Sequence, residues 1–341
     1  MTNLPLNVSF ELPKEYKDYN FVNCSFDCDG NPNILLVKGD HEQLDEDDFP
    51  VLLSKNKLDY TLIIVSDKIE VFQLKEIFEY YDFAMKVEEN KYLFACSQFH
   101  DKEGLNFGNN CRIYNKEKTI LSEFCVGSYF KDIQISRNGK IWVAEGDMAI
   151  FGNWEPAQSG LCCFDLEGNV LYGFASNKIS IYDCYAINIS DEDVWFYYYI
   201  DFKFAQMIDN KVKQTIKSPI SFVKFFSLSS DRKKILMDNG YKNEKTFSLF
   251  LMDKKFKKQG DIQFLSEEGT LLSCCRAQGN KMCFWENNKL YLATIDYVIT
   301  ENLYSRDKVF HEILRYQGNI GINLDIIQYL IDLGVNVSGR L

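Results

Sequence analysis

Three histidines and eleven cysteines are the residues of this 341-residue chain best suited to acid–base, nucleophilic or soft-metal chemistry. Their spacing favours none of these uses. His41, His100 and His311 lie in an acidic segment, a loop and a carboxy-terminal stretch, so no shared general base or ligand set is expected from them. The cysteines are odd in number and contain no Cys-x-x-Cys. Cys24-x-x-x-Cys28 has a permissible zinc spacing but lacks a second ligand pair nearby. The vicinal pairs Cys162-Cys163 and Cys274-Cys275 sit in strand-like runs, where neighbouring side chains point to opposite faces. Buried free thiols are therefore the expectation. Gly104-x-x-x-Gly108 lacks the Lys-Ser/Thr of a phosphate loop, and neither a nucleophile elbow nor a dinucleotide fingerprint occurs. No catalytic residue and no obligatory cofactor is assigned. The aromatic run Trp195–Phe204 could stack sugars or bases at a surface, but bulky side chains on both faces of a core strand are the plainer expectation.

Composition narrows the class. At 46% apolar and 26% charged the chain is globular. Its 27 Phe, 20 Tyr and 4 Trp beside only 6 Pro lean it towards strands. A net charge of −11 is opposite to the footprint of a nucleic-acid binder, and the densest basic stretch, Asp253–Lys258, reads as a solvated turn. The first residues lack a basic region and a long apolar run, and no segment reads as membrane-spanning. With many free thiols, a reducing cytoplasm is the expected compartment.

The elements that would position any site repeat. Asp132–Ala144 reads as strand, Arg-Asn-Gly turn, strand; Gly160–Phe174 repeats this around Glu167-Gly168-Asn169, giving a four-stranded antiparallel meander. The same grammar returns at Val22–Phe72, Phe83–Phe124, Ala186–Val212, Phe222–Ile262 and Ser273–Ala293. The first turns of the last five units, near residues 89, 138, 191, 231 and 279, are about one propeller blade apart. An acidic insert, Asp40–Phe49, interrupts the first unit and reads as a solvated loop. The last unit lacks an outer strand, and Leu6–Leu12 alternates without belonging elsewhere. That strand is expected to complete the last blade and close the ring.

The Asn-Gly-Lys-Ile-Trp-Val stretch, followed by Gly-Leu-x-x-Phe-Asp-x-x-Gly-Asn, resembles blades of six-bladed β-propellers of the NHL and SMP-30/gluconolactonase-like type. Trp142–Phe174, with Phe151-Gly152-Asn153 in an elongated connection, is more narrowly similar to a group of uncharacterised bacterial propellers. The resemblance implies an all-β fold of six blades. It also implies an alternative function, metal-dependent hydrolysis of a small lactone or ester, because lactonase-like propellers hold a divalent cation with Glu, Asn and Asp oxygens at the channel. Ca²⁺ or Mg²⁺ suits such hard ligands. Under that reading the candidate ligands are Glu145, Asp147 and Asn153, with Asp132 and Asp183 entering neighbouring blades. Their spacing departs from the lactonase pattern.

From about Ser305 the period becomes helical, with Val309, Phe310, Ile313 and Leu314 on one face and Leu324, Ile327 and Ile331 on another. Asp325–Val337 resembles the second helix and exit turn of an ankyrin repeat, a half-repeat short of a domain. The expected organisation is a propeller over residues 1–300, closed by an amino-terminal strand, and a helical hairpin over 301–341. The expected function is protein binding by a monomer, with no nucleic acid or membrane, at Glu145, Asp147, Asn153 and Trp154. The negative charge points to a basic partner that the chain regulates or neutralises, a toxin for example.

Overall fold

The computed structural model describes residues 1–41, 50–99, 108–190 and 193–301. They form six sheets arranged as a propeller. The first blade contains Asn20–Phe26, Pro32–Lys38, Leu53–Val65 and Ile69–Glu79; the second, Phe83–Glu88, Lys91–Ala95, Cys111–Asn115 and Ile120–Phe124. The third contains Phe130–Ile135, Ile141–Glu145, Leu161–Phe164 and Val170–Gly173; the fourth, Asp183–Ser190, Asp193–Tyr199, Lys203–Ile208 and Lys211–Lys217. The fifth contains Phe226–Leu228, Lys234–Asp238, Phe247–Met252 and Phe256–Leu265. The sixth has three strands from the same end of the chain, Cys274–Gln278, Lys281–Glu286 and Lys289–Thr294. In each blade the first strand lies innermost.

Local chemistry sets the turns. Asp209-Asn210 and Asn287-Asn288 join adjacent strands with both residues at positive φ, the geometry that matches strand twist in a two-residue hairpin. Asp27 and Asp165 share a second device: each carboxylate accepts from the backbone N–H two and four residues on, and from the side chain of Asn31 or Asn169. Gly168 completes the second of these turns at φ +88°, and a Cβ there would lie 2.3 Å from the Phe124 ring of the second blade.

Six apolar clusters fill the six spaces between neighbouring blades. Most of the aromatics lie there. Trp195, Phe196, Tyr197, Tyr198 and Phe204 are buried on alternate faces of the fourth blade, as expected of a strand packed on both sides.

The ring closes as the alternation of Leu6–Leu12 predicts. Val8–Glu11 pairs antiparallel with Lys289–Thr294 as the outer strand of the sixth blade. A second strand was not anticipated: Thr2–Pro5 pairs in parallel with residues 262–265 and gives the fifth blade a fifth strand. Four residues with one apolar side chain carry no readable period, and Pro5 is tolerated because this is a sheet edge. Leu4 and Leu6 drop into the core between the fifth and sixth blades.

After the last strand, residues 295–301 are helical, with the Asp296 carboxylate accepting from Ser230 (2.7 Å) and Asn280 (2.9 Å). The expected hairpin beyond residue 301, His100, His311, Gly104 and most of the acidic insert lie outside the described residues. Among the described residues, no helix is long and apolar enough to cross a membrane.

Candidate functional site

The inner strands bring polar side chains to the axis, and there they bond to one another. Arg276 of the sixth blade forms an ion pair with Asp132 of the third, directly across the ring. Its Nε donates to the Cys24 carbonyl (3.2 Å), its Nη2 to Asn23 Oδ1 (3.4 Å), and its guanidinium lies 4.7 Å from the centre of the Phe83 ring. Gln134 donates to Asp132 and to the carbonyls of Ile187 and Ala277, and accepts from the Ile189 N–H. Asn188 donates to the carbonyls of Phe226 and Gly279, and Gln278 to that of Ile135. Arg276 and Asp132 are both buried, and burial pushes the Asp132 carboxyl up against the opposing pull of Arg276. The positive charge facing Asp132 is thus a guanidinium from this chain.

The other oxygen-bearing candidates separate. Glu145 ends the second strand of the third blade, fully buried and so close to Gly127 that a Cβ there would meet its carboxyl at 2.5 Å. Neither carboxyl oxygen has a hydrogen-bond partner, and burial pushes this group well above the usual carboxylate range. Burial therefore favours its protonated form. Asp147 opens a helical turn, Asp147–Ile150, and is exposed, its carboxylate accepting from the Met148 N–H (2.8 Å). Asn153 is exposed in the same connection, whereas Trp154 stacks on Phe164 with ring centres 6.1 Å apart. Asp183 begins the inner strand of the fourth blade. Burial pushes it up to about 6; Lys131 and the Tyr185 hydroxyl act in the opposite direction and Asp147 in the same one. Asp147 and Asp183 are therefore neighbours, while Glu145 lies against Gly127 in the connection from the second blade to the third. Among the described residues, no three His, Cys, Asp or Glu side chains converge as metal ligands.

The buried acid has a measurable consequence. A carboxyl whose folded pKa lies above its unfolded value contributes stability that is present below the unfolded pKa and is lost as pH rises towards the folded one. Glu145→Gln removes this loss, so the melting temperature of the variant relative to the parent is expected to climb as pH rises above about 4. A pH-independent difference would contradict a Glu145 carboxyl raised by burial.

What the ring does bring together is aromatic. On the face carrying the connections between blades, Phe151 and Tyr241 are 68% and 63% exposed, accompanied by Met148, Tyr182, Tyr199 and Phe222. Ring contacts join them into two groups: Phe151 meets Tyr182 at 5.7 Å, and Tyr199, Phe202, Phe222 and Tyr241 form a chain with successive centres 5.3, 4.8 and 5.0 Å apart. The backbone hydrogen bond from Tyr182 to Tyr199 (2.7 Å) brings the two groups side by side. A groove of about 830 Å³ continues from this chain, lined by Ile220, Phe222, Tyr241, Phe250 and Phe256 with Asn239 among them. Phe202 and Phe222 hold φ values of +51° and +60°. Such backbone costs about 1–3 kcal/mol per residue for a bulky side chain and concentrates at ligand clamps.

Sequence reasoning singled out the connection after Glu145 but missed this surface. The available signal was aromatic residues in the connections instead of the strands: Phe151, Tyr182, Phe202, Phe222 and Tyr241 all lie outside them. The opposite mouth of the ring holds a smaller cavity of about 170 Å³, lined by polar residues including Ser136, Arg137, Gln278 and Lys281.

A family model described as the YxzG family matches residues 161–295, from the third strand of the third blade to the end of the sixth. No curated protein matches the chain. Among solved structures, the chain is similar to a crystal structure of Kluyvelomyces marxianus Hsv2, at 11% identity and a TM-score of 0.45, covering 81% of this chain and 77% of that one. It is likewise similar to a chain in a crystal structure of the Mitotic Checkpoint Complex, at 7% identity and a TM-score of 0.45, covering 82% and 78% respectively.

Proposed function

We propose that this chain is a protein-binding propeller, acting as a monomer in the cytoplasm, whose aromatic face over blades three to five docks a Lys/Arg-rich partner. The observation that carries the reading is that face: large apolar rings left in solvent and held there in part by strained backbone. Two features favour a basic partner. The chain carries a net charge of −11. The ring of Tyr241 already sits 5.0 Å from the Lys224 ammonium, so the same faces suit incoming cations. Asp147 and Asn153 share the connection that carries Phe151 and would rim the contact, while Trp154 anchors that connection on Phe164 and Glu145 stands at its start. Regulation or neutralisation of the partner follows from covering its basic surface. Metal-dependent hydrolysis draws no support from Asp132, whose carboxylate Arg276 already holds.

Titration with Lys/Arg-rich and Glu-rich peptides tests the reading. Binding of the basic peptides is expected to weaken with salt, and to fall about tenfold in Tyr241→Ser combined with Phe151→Ser, with the melting temperature unchanged. Equal binding by parent and variant, or preference for the acidic peptides, would reject it.

A further inference from the structure

Three cysteines meet at the seam where the ring closes. Cys24 lies on the inner strand of the first blade, and Cys275 and Cys283 on the first two strands of the sixth. All three share the apolar cluster between those blades. The register of the sixth blade shifts between Cys274 and Arg276, and Arg276 stands opposite Cys283. Arg276 then donates to the Cys24 carbonyl (3.2 Å), which draws the two inner strands together beside the thiols. Cys24 and Cys283 are members of that cluster and Cys275 packs against it. Cys24 and Cys283 are buried, whereas Cys275 is partly exposed.

We infer that Cys24 and Cys275 are a reversible oxidation site, forming a disulfide that latches the sixth blade to the first when the protein meets a hydroperoxide. Cys275 is the attacking sulfur because it is the accessible member. The Cys24 hydrogen bond, with Arg276 helping, also holds its thiol below the usual range, while burial raises that of Cys24. The Cys275 thiolate attacks one oxygen of hydrogen peroxide, the O–O bond breaks, and the departing hydroxide takes up the proton that Cys275 released and leaves as water. Cys275 becomes a sulfenic acid. The Cys24 sulfur then forms the S–S bond and displaces the hydroxyl group, which leaves as a second water carrying the Cys24 proton. The two thiols lose two electrons, and the peroxide accepts both. The bond would join covalently the two blades that the amino-terminal strand otherwise closes by hydrogen bonds and apolar packing.

Peptide mapping of the full chain after hydrogen peroxide, without reductant, is the test. A Cys24–Cys275 cross-linked peptide is expected, reversed by dithiothreitol, retained in Cys283→Ser and absent in Cys275→Ser. The oxidised parent is expected to melt several degrees higher than the reduced one, a shift that Cys275→Ser lacks. Sulfinic acid at Cys275 without a cross-link, a bond between two chains, or a Cys24–Cys283 bond would overturn the assignment. The partly exposed Cys275 position keeps the comparison usable if a substitution at buried Cys24 disturbs folding.

Discussion

Removal of residues 1–12 is expected to leave a chain that does not form a stable monomeric ring. The deletion strips two strands at once: the outer strand of the sixth blade and the added parallel strand of the fifth. Leu4 and Leu6 are 3% and 4% exposed, and Leu12 packs where the sixth blade meets the first. Truncating one such buried leucine to alanine costs about 2–5 kcal/mol, so losing three is comparable to the roughly 5–15 kcal/mol that holds a typical domain together. The deletion also bares the backbone edges of Lys289–Thr294 and Phe256–Leu265, which are templates for pairing with another chain. Size-exclusion chromatography with thermal melting should show soluble aggregate or an unfolded chain, and Leu6→Ala alone should be destabilised by about 2–5 kcal/mol while eluting like the parent. A truncated chain that melts like the parent would mean that the ring closes without its strap.

Arg276→Met should be the most costly single substitution at the axis. It removes the cation facing buried Asp132, which keeps only uncharged donors such as Gln134, and takes a donor from the carbonyl of Cys24. Breaking a buried pair by removing one partner costs about 3–5 kcal/mol, a fall in melting temperature on the order of 5 °C for a chain of this size. The sign of its pH dependence follows. Asp132 without its guanidinium is held further above its unfolded pKa, so the variant should lose stability, relative to the parent, as pH rises above about 4. Replacing both members, Arg276→Met with Asp132→Leu, should recover most of the loss, because an apolar pair leaves no stranded charge. Equal stability of parent and Arg276→Met would show that the axial network does not hold opposite blades together.

These expectations rest on features that were unequally legible in the sequence. The blades were readable because their turns have fixed chemistry: Asp27 and Asp165 with their paired asparagines, and the Asp209-Asn210 hairpin, punctuate alternating runs whatever lies around them. The closing strand was readable because Val8–Glu11 alternates and had no other blade to join. Those signals specify a six-bladed ring without distinguishing one kind of six-bladed propeller from another. Thr2–Pro5 was not readable, since a parallel edge pairing over four residues depends on where its partner ends up. The axial network was equally hidden. Asp132 and Arg276 are 144 residues apart, and only the ring brings the third and sixth blades face to face. That is why Asp132 suggested a cation ligand in sequence and proves to be held by Arg276. The aromatic face was hidden for a related reason: its members come one or two at a time from the connections of three blades.

Hydrogen–deuterium exchange of the full chain with a saturating Lys/Arg-rich peptide addresses the docking face most directly. Slowed exchange is predicted in residues 146–160, 200–202, 218–225 and 239–246, the connections that carry Asp147, Phe151, Phe202, Phe222 and Tyr241, with little change on the opposite face. Protection centred instead on the mouth formed by Ser136, Arg137 and Lys281, or no protection while the peptide is bound, would contradict the account.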